Sequence, residues 1–238
     1  MTTILRASNL TKFYNNKLAL NNFSLEVKEG EVLGILGPNG SGKTTLLKII
    51  AGLHQKSSGD ITICGEEPGL KTKGFVSFLP DVNFLYKWMK IKDAKDFYKD
   101  FFDDFNEKTF LELLDFMNLN PSQKVVDLSK GMKEKLNLAL TLARDAKLYV
   151  LDEPIGGVDP VARDQILNSI IDKAFEKKTI IITTQLVRDI EAVFDKVVFI
   201  SEGNTILSGN AEELRSEKKM SIEEIFKDLY RGELWLNF

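Results

Sequence analysis

The stretch Gly37-Pro38-Asn39-Gly40-Ser41-Gly42-Lys43-Thr44-Thr45 constrains this chain more than any other. It fits G-x-x-x-x-G-K-[ST], the pattern of a phosphate-binding loop. The glycines let the backbone turn tightly, so that successive N–H groups point at one place. Lys43 adds a mobile positive charge for β- and γ-phosphates, and the Thr44 hydroxyl can ligate Mg²⁺. The apolar run Val32-Leu33-Gly34-Ile35-Leu36 before the loop reads as a buried strand. Leu46-Leu47-Lys48-Ile49-Ile50-Ala51 after it reads as a helix, whose N-terminus favours an anion. Strand, glycine loop and helix stand in the order that the mechanism needs.

The rest of the chain must build a scaffold around that loop. Its 238 residues can bury one large core or two small ones. A net charge of −3 suggests neither a nucleic-acid coat nor a polybasic membrane binder. With Cys64 as the one cysteine, no intrachain disulfide can form; it sits in Asp60–Cys64, which reads as a strand, and is expected to be inert. The first dozen residues carry Arg6 and Lys12 and no long apolar segment, so no signal peptide is read, and no window approaches a membrane span. Any membrane part is therefore expected on another chain.

Taken in order, Ile4–Ala7 and Phe23–Val27 read as strands, the second with clean alternation, and an Asn15-Asn16-Lys17 turn lies between them. His54, the one histidine, has no partner in sequence and is expected to be a solvated loop residue. Phe75–Leu79 is another strand, stopped by Pro80. From Asp81 to about Arg144 the strand-like runs cease. Phe97, Phe101 and Phe105 recur at helical spacing over Asp96–Phe105, and Phe110, Leu113, Leu114 and Met117 continue it. A third helix begins near Ser129 and carries Met132, Leu136, Leu140 and Ala143 on one face. This segment reads as a helical insert with its phenylalanine stripe as core. Beta-alpha alternation then returns: strands at Leu148–Leu151, Thr179–Thr183 and Val197–Ile200, helices at Pro160–Phe175 and Val187–Phe194, and a hairpin at Glu202-Gly203-Asn204 before Thr205–Leu207. Short amphipathic helices near Ala211–Ser216 and Ile222–Leu229 form the tail.

Two further motifs carry chemistry. The strand Leu148–Leu151 delivers Asp152 and Glu153 at its C-terminal end, where ligands bind in parallel α/β sheets. Behind a phosphate loop, the first carboxylate suits Mg²⁺ and the second suits the attacking water. In Leu128-Ser129-Lys130-Gly131-Met132 a serine N-cap, a glycine backbone and a helix start make a second anion site. Two anion sites for one nucleotide loop suggest an arrangement between molecules.

Together these motifs resemble the ATP-binding cassette (ABC) family over nearly the whole chain. Gly37–Thr45 matches its Walker A, Asp152 and Glu153 its Walker B and catalytic glutamate, Gly157-Val158-Asp159 its D-loop, and Leu128–Met132 its signature. Tyr14 falls where the family places an aromatic that stacks on adenine. The resemblance implies an α/β fold: a P-loop NTPase with a RecA-like core, an antiparallel β subdomain and an inserted α-helical subdomain. It implies one nucleotide-binding domain over residues 1–238, with core and β subdomain in 1–80 and 145–215, helices in 81–144 and a tail in 216–238. It also implies ATP and Mg²⁺, the metal held by Thr44, Asp152 and Asp81, with Lys43, Glu153 and Gln185 catalytic. Nucleotide contacts fall on Tyr14, Gly37, Pro38, Asn39, Gly40, Ser41, Gly42, Lys43, Thr44 and Thr45, and on Ser129 and Gly131 across a head-to-tail dimer. Such a dimer, of two copies or of this chain and a related ATPase subunit, would sit on the inner face of the cell membrane and move a separate transmembrane permease, with no nucleic acid involved.

Three departures qualify the resemblance. Lys130 and Met132 replace the usual second glycine and glutamine of the signature, a form similar to ATPase subunits of ABC-2-type exporters. Asp81 stands where a glutamine is common. Gln185 stands where the family has its switch histidine; it can donate to a γ-phosphate but cannot become cationic, so slow hydrolysis is expected. The aromatic run Asn83–Met89 reads as part core, part docking surface for a membrane partner. Two alternatives stay open beside the exporter ATPase: a dimerising subunit with little hydrolysis of its own, and a soluble switch of the same family.

Overall fold

A computed structural model describes residues 2–156 and 158–231, apart from the side chains of 174 and 175. Gly157, part of the expected D-loop, lies outside the described residues. Among the described residues the strands form two sheets. The smaller has order β2-β1-β4 and is antiparallel, built from β1 (Thr3–Tyr14), β2 (Lys17–Lys28) and β4 (Ser58–Ile63). The larger has order β5-β6-β7-β3-β8-β9. Its strands are β5 (Val76–Leu79), β6 (Leu148–Asp152), β7 (Thr179–Thr184), β3 (Val32–Leu36), β8 (Lys196–Ser201) and β9 (Asn204–Asn210). All but β9 run parallel.

β3, β6 and β7 are buried along their whole length, which explains their continuous apolar sequences. β3 divides its side chains: Leu33 and Ile35 face the small sheet and α1 (Lys43–Ile50), while Val32 and Leu36 face the helices on the other side. α1 is thus packed between the two sheets. The helices α2 (Ile91–Phe101), α3 (Glu107–Phe116) and α4 (Lys130–Leu142) come between β5 and β6 in the chain. α5 (Pro160–Phe175), α6 (Val187–Ile190), α7 (Ala211–Lys218) and α8 (Ile222–Leu229) complete the chain.

Several elements differ from the sequence reading. β1 and β2 are both twelve residues long, taking in Phe13 and Tyr14, because Asn9 and Asn22 adopt left-handed backbone at register shifts that break the alternation. β4 ends at Ile63, and Cys64 lies in the following turn at φ 51° rather than in a strand. The segment 187–194 is one turn of α-helix followed by a 3₁₀ turn at Glu191–Val193.

The largest correction concerns α2. It starts at Ile91, with Asp93 accepting from the Lys90 N–H at 2.9 Å, and stops at Phe101. Its buried face is Ile91, Ala94 and Tyr98, so Phe97 and Phe101 point outward at 40% and 68% exposure. These two rings of the stripe are therefore not core, whereas Phe105 and, further on, Phe110, Leu114 and Met117 are packed in it or against it. Phe102 and Phe105, past the helix end, are the rings that pack inward. Arg144 holds them there: its guanidinium pairs with both oxygens of Asp104, donates to Val76 O and Lys73 O, and lies 3.8 Å from the Phe102 ring centroid.

Candidate functional site

In a parallel sheet every strand presents its C-terminal end at the same edge, so residues distant in sequence meet there. β3 delivers the glycine loop, β6 delivers Asp152 and Glu153, β7 delivers Thr183 and Gln185, and β5 leads to Asp81. β7 lies between β3 and β6, and Thr183 stands level with Ile35 on one side and Asp152 on the other.

The loop closes tightly on its surroundings. Gly42 caps α1 at φ 110°, and a Cβ there would lie 2.5 Å from Ala19 O. A Cβ on Gly37 would lie 2.3 Å from Ile200 O. Lys43 is 6% exposed; its ammonium donates to Gly37 O at 2.7 Å and Pro38 O at 3.0 Å, on its own loop. Its Nζ is also 3.8 Å from Glu153 Oε1, a charge contact too long for a hydrogen bond. Burial pushes the Lys43 ammonium down, with Glu153 and Asp152 opposing.

Both carboxylates are organised by Thr183. Its hydroxyl donates to Asp152 Oδ1 at 2.6 Å and accepts from the Glu153 N–H at 3.1 Å. Burial pushes both carboxyls above the usual range, against the Thr183 and Thr44 hydroxyls for Asp152 and against Lys43 for Glu153. Glu153 holds left-handed backbone at φ 47°, a conformation costly for a side chain of this kind and common where function demands it. Glu153 Oε2 accepts from the Gln185 N–H at 3.2 Å, and the Gln185 side-chain amide donates to Asn39 Oδ1 at 2.9 Å.

A cleft of about 260 Å³ opens over α1's start, lined by Asn39, Gly40, Gly42, Lys43, Thr44 and Thr45, with Tyr14, Asp81 and Glu153 around them. Ser41 Oγ, Asp152 Oδ2 and Glu153 Oε1 are buried without a hydrogen-bond partner. Among the described residues no cluster of three or more His, Cys, Asp or Glu could hold a metal by itself. An oxygen-binding cation nonetheless fits at Asp152 Oδ2 and Thr44, where a nucleotide's phosphates would supply the remaining ligands. Ser129 and Gly131 do not line this cleft. Ser129 caps α4, accepting from the Met132 N–H at 3.2 Å. Gly131 packs so closely on the start of α5 that a Cβ would lie 2.9 Å from Asp159 Oδ2.

The family described as ABC transporter matches residues 20–156, which carry the glycine loop, the signature helix and both carboxylates. The chain belongs to the ABC transporter family. It is an ATP-binding subunit of that family and an ATPase. The lantibiotic transport ATP-binding protein SrtF of Streptococcus pyogenes is 32% identical over 227 residues, covering 94% of this chain and 96% of that protein. The Nod factor export ATP-binding protein I of Burkholderia orbicola is 34% identical over 227 residues, 92% of this chain and 75% of its own. Among solved structures, an ATP-binding subunit of an ABC transporter superposes with a TM-score of 0.85 at 25% identity, over 95% of this chain and 99% of that one. An ATP-binding cassette in a dimeric post-hydrolysis state with ADP and Pi gives 0.78 at 22% identity, over 87% of this chain and 98% of that one, a likeness of fold.

The cassette uses residues that motif reading passed over. Thr183 is fully buried and ties together the two carboxylates. Its signal was a threonine directly after the three isoleucines of β7. Tyr230, also fully buried, brings its hydroxyl to 3.0 Å from Ile200 O and 3.3 Å from Leu36 O, under the first residue of the loop. His54 lies in a loop, as expected, but is half-buried and has a partner: its Nδ1 lies 2.8 Å from the Tyr14 hydroxyl, 40 residues away in sequence.

Proposed function

We propose that the cassette is the energising subunit of an exporter, and that Mg²⁺ and ATP bind in the cleft over α1. The observation that carries this reading is the convergence of Lys43, Asp152, Glu153 and Gln185 at the edge where α1 begins. The loop from Gly37 to Thr45 wraps the phosphates with its N–H groups, and Lys43 leaves its own carbonyls for the β- and γ-phosphates. Thr44, Asp152 and Asp81 would hold Mg²⁺, which would neutralise phosphate charge. Glu153 orients the attacking water and takes its proton; its raised pKa brings it closer to a base's working range. Gln185 gives up Asn39 and turns its amide to the γ-phosphate. Tyr14 stacks on the base.

Ser129 and Gly131 lie away from this cleft, which supports their serving a nucleotide held by a second cassette, a copy or a relative. The name of one relative, the Nod factor export ATP-binding protein I, supports the direction of transport. No helix among the described residues is long and apolar enough to cross a membrane. A separate permease supplies that part, with the cassette peripheral on the cytoplasmic face and no nucleic acid involved. The segment 81–144 meets the permease; Tyr86 and Trp88, stacked on each other at 5.9 Å and exposed at 59% and 70%, suit that contact, while Leu85 and Met89 anchor their loop in the core.

Gel filtration of Glu153→Gln with Mg-ATP tests the reading. The variant should bind ATP, lose about 10²–10⁴-fold in turnover and elute as a dimer only with nucleotide. A monomer under saturating ATP would remove the dimer from the mechanism. The amide at Gln185 favours one second reading, a cassette that binds ATP and leaves most hydrolysis to a partner. It predicts near-zero turnover in the wild type alone and recovery when a partner cassette is added.

A further inference from the structure

Tyr14 closes β1 and reaches into the cleft beside Lys43, Thr44 and Thr45. A half-exposed tyrosine at a strand end has no reason of its own to keep one orientation. Here its surroundings impose one. The hydroxyl is bonded to His54 Nδ1, and the imidazole meets the ring edge-on, with centroids 5.5 Å apart and planes at 76°. Lys12 Nζ lies over the ring, 4.9 Å from its centroid, and so covers one face. The ring lines the cleft over α1, where a planar ligand could meet it.

His54 is itself anchored. The N–H groups of Leu53 and His54 both donate to Lys48 O, at 2.8 and 3.1 Å, at the C-terminal end of α1. The same loop is stitched to β1 by Ser57 N–H to Thr11 O at 2.8 Å and by Phe13 N–H to Ser57 Oγ at 3.0 Å. α1 is only about 12 Å long, so the phosphate grip at its start and the ring tethered to its end share one short rigid element.

We propose that His54 is the positioning residue of the base platform: it holds Tyr14 so that its ring meets the nucleobase in the cleft, and thereby sets how much the base adds to ATP affinity. This rests on the reading of the cleft as an ATP site. His54 acts through Tyr14 and touches no phosphate, so its effect is confined to ligands that carry a base.

Calorimetric titration of Mg²⁺ complexes of ATP and of inorganic tripolyphosphate separates the two contributions. His54→Ala should weaken ATP about five-fold, the loss expected from one net hydrogen bond, and leave tripolyphosphate unchanged. His54→Asn, whose carboxamide reaches the position of Nδ1, should restore most of the loss. Tyr14→Phe should match His54→Ala, and the double variant should lose no more than either single one. Undiminished ATP affinity in His54→Ala, or an equal loss for tripolyphosphate, overturns the inference. Wild-type protein that binds neither ligand overturns the ATP-site reading itself, and this inference with it.

Discussion

The cleft over α1 and the outer face of α2 hold their side chains in opposite ways. In the cleft, polar groups from separate strand ends are bonded to one another, with Lys43, Asp152 and Thr183 buried and Gln185 and Asn39 at the exposed rim: Lys43 to its own loop, Asp152 to Thr183, Glu153 to Gln185, Gln185 to Asn39. On α2, Phe97 and Phe101 stand in solvent with their centroids 4.5 Å apart, touching each other rather than the core. A buried charge without a partner is costly, so every group in the cleft must have a set place. An exposed ring costs little, and nothing local decides which rings are exposed. Short motifs therefore name residues that the strand ends bring together, such as Lys43, Asp152 and Glu153, whereas aromatic spacing misreports α2 by one position.

That contrast can be tested on the helices themselves. Phe110→Ala, at a fully buried ring, should destabilise the cassette by about 3–5 kcal/mol in denaturant unfolding, while Phe101→Ala should cost under about 1 kcal/mol. Equal costs would erase the distinction between inner and outer rings.

In the cleft, Gln185→His should raise steady-state turnover about ten-fold, because an imidazolium can carry charge that an amide cannot; that is about 1.4 kcal/mol of barrier. No gain would mean that Gln185 is not what slows the site. A double replacement, Tyr86→Ser with Trp88→Ser, should move the isolated subunit's stability by no more than about 1 kcal/mol and abolish co-purification with the permease. Unaltered co-purification would place the docking surface elsewhere.

The smallest effect belongs to Glu107, which Lys95 and Lys99 hold at about 2, below its ordinary 4.5. A depressed carboxylate contributes stability in full above its unfolded value and loses it as pH falls towards the folded one. Glu107→Gln should flatten the acid unfolding curve slightly between about pH 4.5 and 2, and only slightly, since solvent reaches more than a third of the side chain and screens the pair. A steep change there would mean that the pair is tighter than an exposed one can be.

The boundary of what was legible follows the same line. The β3–loop–α1 unit and β6 with its two carboxylates were readable because each is continuous in sequence and locally determined. The full length of β1 and β2 was not, since register shifts interrupt the alternation and pairing across the sheet carries the strands through them. The start of α2 was missed because Lys90 and Asp93 form its cap without a serine, threonine or asparagine to announce it. His54 and Tyr14 carry no signal of each other at all.

By itself the sequence determined the chemistry: a loop that binds phosphate, two carboxylates behind it, an amide at position 185 and a capped signature helix. Those properties belong to short stretches whose backbone conformation and side-chain types act together. Only the tertiary structure decided that β7 lies between β3 and β6, that Thr183 joins the carboxylates, that Phe101 faces outward and that His54 meets Tyr14. Such contacts are selected by the packing of whole elements against one another, and a residue's immediate neighbours in the chain do not encode them.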